Sequence, residues 1–101
     1  MQLVHVDSAK GFEVLASTKR AQAAAMTLAP GRSTGGPNNR HARSDQWLYV
    51  ISGEGRAILD GEEHELNAGD LLLIEAGEAH EIANTGERPL QTLNIYAPPE
   101  Y

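Results

Sequence analysis

The sequence predicts an all-β domain, and three observations lead there. Glycine and proline punctuate the chain every ten residues or so, at Gly11, Pro30-Gly31, Gly53, Gly61, Gly69, Gly77 and Pro98-Pro99 among others. The segments between them are mostly 5 to 10 residues long, the length of strands and too short for a series of helices. Asp60-Gly61 lies inside "AILDGEEHEL", and both residues tolerate the positive φ that a tight two-residue hairpin turn demands.

The elements follow in chain order. "STKRAQAAAMTLAP" is ambiguous, because its alanines favour a helix while Gln22, Ala24, Met26 and Leu28 alternate as a strand does. It is read as a strand, since its neighbours are strands. "APGRSTGGPNNR" is the longest polar stretch and reads as a mobile loop. "GDLLLIEAG" reads as a short strand buried on both faces, and "LQTLNIYAPP" as a last strand stopped by two prolines. About nine such strands must protect their edges, as a barrel or as two packed sheets. Residues 1–101 are read as a single domain, near the commonest domain size.

Composition narrows the function classes. Eight basic residues against 14 acidic give a formal charge of −6, and the basic residues are scattered, which argues against nucleic acid as a partner. Without cysteine the chain has no disulfide framework, thiol nucleophile or thiolate metal site. The stretch "MQLVHVDSAKGF" does not read as a secretion signal. No apolar run approaches the ~20 residues of a membrane-spanning helix. The expectation is a soluble cytoplasmic protein.

Parity along the strands places the candidate site. Residues two apart share a face, so Asn39 and His41 can point together into an interior. Gln46 has the opposite parity and needs a bend near Ser44-Asp45 to join them. Beyond it Leu48 and Val50 point inward while Trp47, Tyr49 and Ile51 face away, and His80, Ile82 and Asn84 share one face of their own strand. Two imidazoles converging from different strands can bind a divalent transition metal.

"GDLLLIEAGEAHEIAN" resembles the second conserved motif of the cupins, with Gly69, Gly77, His80 and Asn84 at the family's spacing and Glu75 in place of its proline. "NRHARSDQWLYVISGEG" is similar to the first cupin motif, with Gln46 separated from Gly53 by six residues, where the family has a glutamate. This motif reads in two registers. His41 is the second histidine of the usual pair with Asn39 in the first place, or else the first histidine with Arg43 in the second; the former keeps the spacing inside the paired strands and is preferred. The resemblance implies a double-sheet jelly-roll β-barrel, often dimeric, with metal ligands at His41, Gln46, His80 and Asn39. Gln46 and Asn39 are neutral and weak ligands, so the site is reduced and iron, manganese, nickel and zinc are not distinguished.

Three functions are open on this reading. The chain is a metal-dependent enzyme of oxygenase or isomerase type, with no catalytic residue assigned. Alternatively it is a metal-free binding module for a small carboxylate-type ligand, in a pocket carrying His41 and His80, with Arg43 adding charge and Leu48 lining it. Or it is a regulatory or structural partner through the Trp47 and Tyr49 face, which also suits a homodimer interface. The bland counterparts are interior histidines satisfied by Gln46 and Asn39, a surface ion pair between Arg43 and Asp45, and solvated His5 and His64.

Overall fold

The computed structural model describes residues 1–6, 11–34 and 41–101. Nine strands are found among them, β1 (Gly11–Ser17), β2 (Gln22–Leu28), β3 (Ser33–Thr34), β4 (Asp45–Ser52), β5 (Glu54–Leu59), β6 (Glu62–Asn67), β7 (Leu71–Ile74), β8 (His80–Asn84) and β9 (Leu90–Ala97). They hydrogen-bond as two antiparallel sheets, a five-stranded one in the order β1-β2-β9-β4-β7 and a four-stranded one in the order β3-β8-β5-β6. No helix among the described residues is long and apolar enough to cross a membrane.

Local chemistry accounts for most of these strands. The Asp60-Gly61 turn joins β5 to β6 with φ of 47° and 83°, the left-handed pair that a tight hairpin requires, and Leu59 pairs with Glu62 directly across it. The alanine-rich stretch is strand β2. It is paired on both sides, by β1 and β9, so its backbone groups are satisfied by neighbours rather than within a helix. β9 runs up to Ala97 and stops before Pro98, which has no N–H to give the ladder.

One expectation needs correcting. "GDLLLIEAG" is not buried on both faces: β7 is the edge of the five-stranded sheet, and Leu71 is 62% exposed with Leu73 also exposed. A short apolar run reads the same in a central strand and at an edge, and only the sheet order separates the two. Of the long polar stretch, residues 35–40 lie outside the described residues, and Ser33–Thr34 forms β3 against β8.

The two sheets share one core. Met26, Leu48, Val50, Ile74 and Leu90 from the larger sheet pack with Ala57, Leu59, Leu66 and Ile82 from the smaller. Alternation sets this up: β4 reads exposed–buried from Asp45 to Val50, and β9 buries Leu90, Thr92, Asn94 and Tyr96 in turn. Gly53, between β4 and β5, is required by close approach. Its φ is +89°, and a Cβ there would meet the Pro89 carbonyl oxygen at 2.5 Å. The inward rows also carry buried polar side chains, Gln46, His80, Thr92 and Asn94 among them, and the candidate site is built from these.

Candidate functional site

A bend at Ala42-Arg43 precedes β4. It supplies the change of parity that brings His41 and Gln46 to the same interior, and both are buried. The loop between β7 and β8 then holds this corner. Gly77, at φ +84°, donates its N–H to the His41 carbonyl at 2.7 Å, and Ala76 N–H donates to Asp45 Oδ1 at 2.9 Å. Asp45 is therefore a clamp between the two motif stretches rather than the partner of Arg43. Asn84 staples the far end of β8, donating from Nδ2 to the carbonyls of Leu28 and Arg88 and accepting from Gly86 N–H.

The imidazoles of His41 and His80 meet inside the fold, with ring centroids 4.7 Å apart and planes tilted by 45°. A chain of hydrogen bonds runs inward from them. Asn94 Nδ2 donates to Thr92 Oγ1 at 3.1 Å, so Asn94 Oδ1 is free to accept from Gln46 Nε2, also at 3.1 Å. Gln46 Oε1 then faces His41 Nε2 at 3.1 Å and can only accept, which puts a proton on that nitrogen. His41 Nδ1, on the other side of the ring, lies 3.5 Å from Glu100 Oε2. His80 Nδ1 sits 3.2 Å from the Glu78 carbonyl, and a carbonyl only accepts, so the proton is on Nδ1 and Nε2 keeps its lone pair. Burial lowers the His80 pKa, with the neighbouring His41 adding to the effect and the Glu78 carbonyl, Glu78 and Glu100 opposing it. His80 is consequently a neutral acceptor at neutral pH.

Aromatic rings roof the pair. Tyr96 lies edge-on to His41 at 5.3 Å, and Tyr101 lies 6.1 Å from His41 and 5.2 Å from Tyr96. Burial, reinforced by the neighbouring Tyr101 hydroxyl, pushes the Tyr96 phenol far above its ordinary value, so it keeps its proton. Burial also raises Tyr101. Together with Thr34 and Ile82 these side chains enclose a cavity of about 60 Å³, space for a very few waters. A larger opening of about 800 Å³ lies elsewhere, lined by Glu54, Asn67, Glu87 and Arg88 among others. It has no histidine, and its lining is mostly exposed. Convergent buried polar groups mark a site better than size does.

The sequence-predicted residues divide as follows. His41, Gln46 and His80 come together around the small cavity. Asn39 lies outside the described residues. Arg43 is exposed at the bend, and Leu48 is fully buried in the apolar core rather than on the cavity wall. His5 and His64 are exposed, with His64 Nε2 3.9 Å from Glu62 Oε1. Sequence reasoning missed Thr92, Asn94 and Tyr96, although their alternation along "LQTLNIYA" carried the signal. It also missed Glu100 and Tyr101, for which no local pattern exists.

Residues 24–96 match the cupin domain family. The chain belongs to the cupins. It is 35% identical over 72 residues to an oxalate-binding protein of Thermotoga maritima, covering 71% of this chain and 58% of that one. It is 34% identical over 73 residues to the tetracenomycin polyketide synthase protein TcmJ of Streptomyces glaucescens, covering 72% and 48%. The chain thus spans about half the length of these curated relatives. A Bacillus halodurans protein of known structure superposes with a TM-score of 0.86 at 30% identity, covering 91% of this cupin and 73% of that chain.

Cupins often hold a metal. With Nε2 of His41 bonded to Gln46 and Nδ1 of His80 to a backbone carbonyl, the lone pairs left for an ion are those of His41 Nδ1 and His80 Nε2. Among the described residues no three His, Asp or Glu side chains are placed to share an ion. Among the described residues the third place is filled by the Gln46 amide, where a carboxylate would offset the ion's charge, so the set seen is a weak one for a divalent transition metal.

Proposed function

We propose that this cupin binds a small carboxylate-bearing molecule between His41 and His80 without a metal. The observation that carries the reading is the imidazole pair itself, centroids 4.7 Å apart on one small cavity. One ring turns Nδ1 toward an anion, Glu100, and the other is held neutral with a free lone pair. When protonated, His41 offers a charge-assisted donor to a carboxylate oxygen, and the Gln46–Asn94–Thr92 chain fixes its ring. His80 Nε2 accepts from the ligand's hydroxyl or acid proton. The Tyr96 phenol, which keeps its proton, adds a donor at the roof. The name of the Thermotoga relative, an oxalate-binding protein, agrees with this ligand class.

Titration calorimetry with oxalate and acetate in carboxylate-free buffer tests the proposal. Binding that is lost in His80→Ala, by a protein that carries no stoichiometric metal when purified without chelator, is the expected outcome. Stoichiometric metal that disappears in His80→Ala would instead establish the metal-dependent reading. A second proposal concerns the outer face of the larger sheet, where Trp47 pairs across strands with Leu73, and Tyr49 with Leu71, all four exposed. This apolar patch is where we place the interface of a cytoplasmic homodimer, to be checked by sedimentation of the protein and of Trp47→Glu.

A further inference from the structure

After β9 the chain turns back over the site instead of leaving it. We infer that residues Pro98–Tyr101 form a displaceable strap over the cavity, and that the Glu100 carboxylate occupies the position a ligand carboxylate takes. The inference rests on the binding reading above and adds a regulator to it.

The strap is tied down at defined points. Ser44 Oγ donates to the Pro98 carbonyl at 2.7 Å. Gln22, 4% exposed, uses both ends of its amide: Nε2 donates to the Tyr101 backbone oxygen at 2.7 Å, while Oε1 accepts from Tyr101 N–H at 2.9 Å and Glu100 N–H at 3.3 Å. The Tyr101 ring then rests 4.7 Å from Phe12 and 5.2 Å from Tyr96. This seats Glu100 Oε2 3.5 Å from His41 Nδ1, the nitrogen that Gln46 leaves unengaged. An anion thus already stands at the one nitrogen that His41 can turn into a second donor when it is protonated.

The cover can also come off. Tyr101 is 62% exposed although it lines the cavity, and the strap is held by a few hydrogen bonds and one ring rather than by core packing. A ligand carboxylate that is to face His41 Nδ1 needs the place that the Glu100 carboxylate holds, 3.5 Å from that nitrogen. Ligand entry therefore displaces Glu100, and Tyr101 moves with it because both backbone N–H groups hang on the same Gln22 oxygen. Two carboxylates compete for one imidazole edge, and apparent affinity falls by the fraction of molecules that are open.

Oxalate titrated calorimetrically into wild type and E100Q, with amide exchange followed by NMR, tests this. Oxalate should bind E100Q roughly three- to tenfold more tightly than wild type, because the internal competitor has lost its charge. Saturating oxalate should also speed exchange of the Tyr101 amide in wild type. The E100A variant, which removes the contact as well as the charge, should tighten binding too. Equal or weaker binding by both variants, with the Tyr101 amide equally protected with and without oxalate, overturns the strap and leaves the binding site standing. No binding of oxalate or acetate by any of the three proteins removes the site itself, and the strap proposal with it.

Discussion

On the inner face of β4, Gln46, Leu48 and Val50 are buried, and on its outer face Trp47, Tyr49 and Ile51 are exposed. Neighbouring strands extend both rows. Inside, Gln46 pairs with Tyr96 and Leu48 with Asn94, so polar and apolar side chains share one interior. Outside, Trp47 and Tyr49 pair with Leu73 and Leu71, and the face is almost wholly apolar. The usual arrangement, polar outside and apolar inside, is thus inverted in part on both sides of a single strand. The difference teaches where function lies. A buried polar group costs stability unless it is hydrogen-bonded, and an exposed apolar patch is unfavourable unless it is covered. Each departure coincides with one of the two surfaces proposed above for binding, the inner one for a ligand and the outer one for a second copy.

Substitutions along β4 can break this comparison. The largest effect belongs to Leu48→Ala, which empties a fully buried position and should cost about 2–5 kcal/mol of unfolding free energy in urea titrations; a loss below that range would remove Leu48 from the shared core. Gln46→Leu leaves His41 Nε2 and Asn94 without their partner. It should cost about 1–3 kcal/mol and weaken carboxylate binding at the same time, so normal binding in a destabilised variant would separate the network from the site.

Acid tests the buried ring. The folded-state pKa of His80 lies below its ordinary 6.5, so the unfolded chain takes up a proton that the folded one resists. Its contribution is fully present above pH 6.5 and is lost as pH falls from there through the lower folded value. Thermal unfolding between pH 7 and 5 should therefore show a loss of stability that His80→Asn reduces. An unchanged slope would mean that other groups govern the acid limb. The smallest effect on folding is expected outside: Trp47→Ser should change monomer stability by no more than about 0.5 kcal/mol. Its signature is a lower sedimentation coefficient if the outer face joins two copies, and an unchanged one if it does not.

Much of this was legible from residue order. The hairpin at Asp60-Gly61 followed from backbone chemistry, and the inward rows of β4 and β8 followed from a period of two that no tertiary contact alters. His41, Gln46 and His80 were found because they sit in motif-like spacings. The bend needed to align them falls at Ala42-Arg43, two residues ahead of the expected place. Arg43 was assigned to the ligand by proximity in sequence and Leu48 by parity, yet the bend exposes the first, and the second, though inward, lies one full repeat too deep. Thr92, Asn94 and Tyr96 could have been found by extending the same parity argument to β9.

The sequence by itself determined most of the strands, their parity, the family, and the two histidines with their amide neighbour, because these are written in local periodicity and spacing. Only the tertiary structure decided that β7 is an edge, that His41 is tied through Gln46 to Asn94 and Thr92, and that Glu100 and Tyr101 return to cover the site. Those facts depend on which distant strands become neighbours and where the chain goes after its last strand. Side chains that meet across such distances leave no periodic trace in the order of residues.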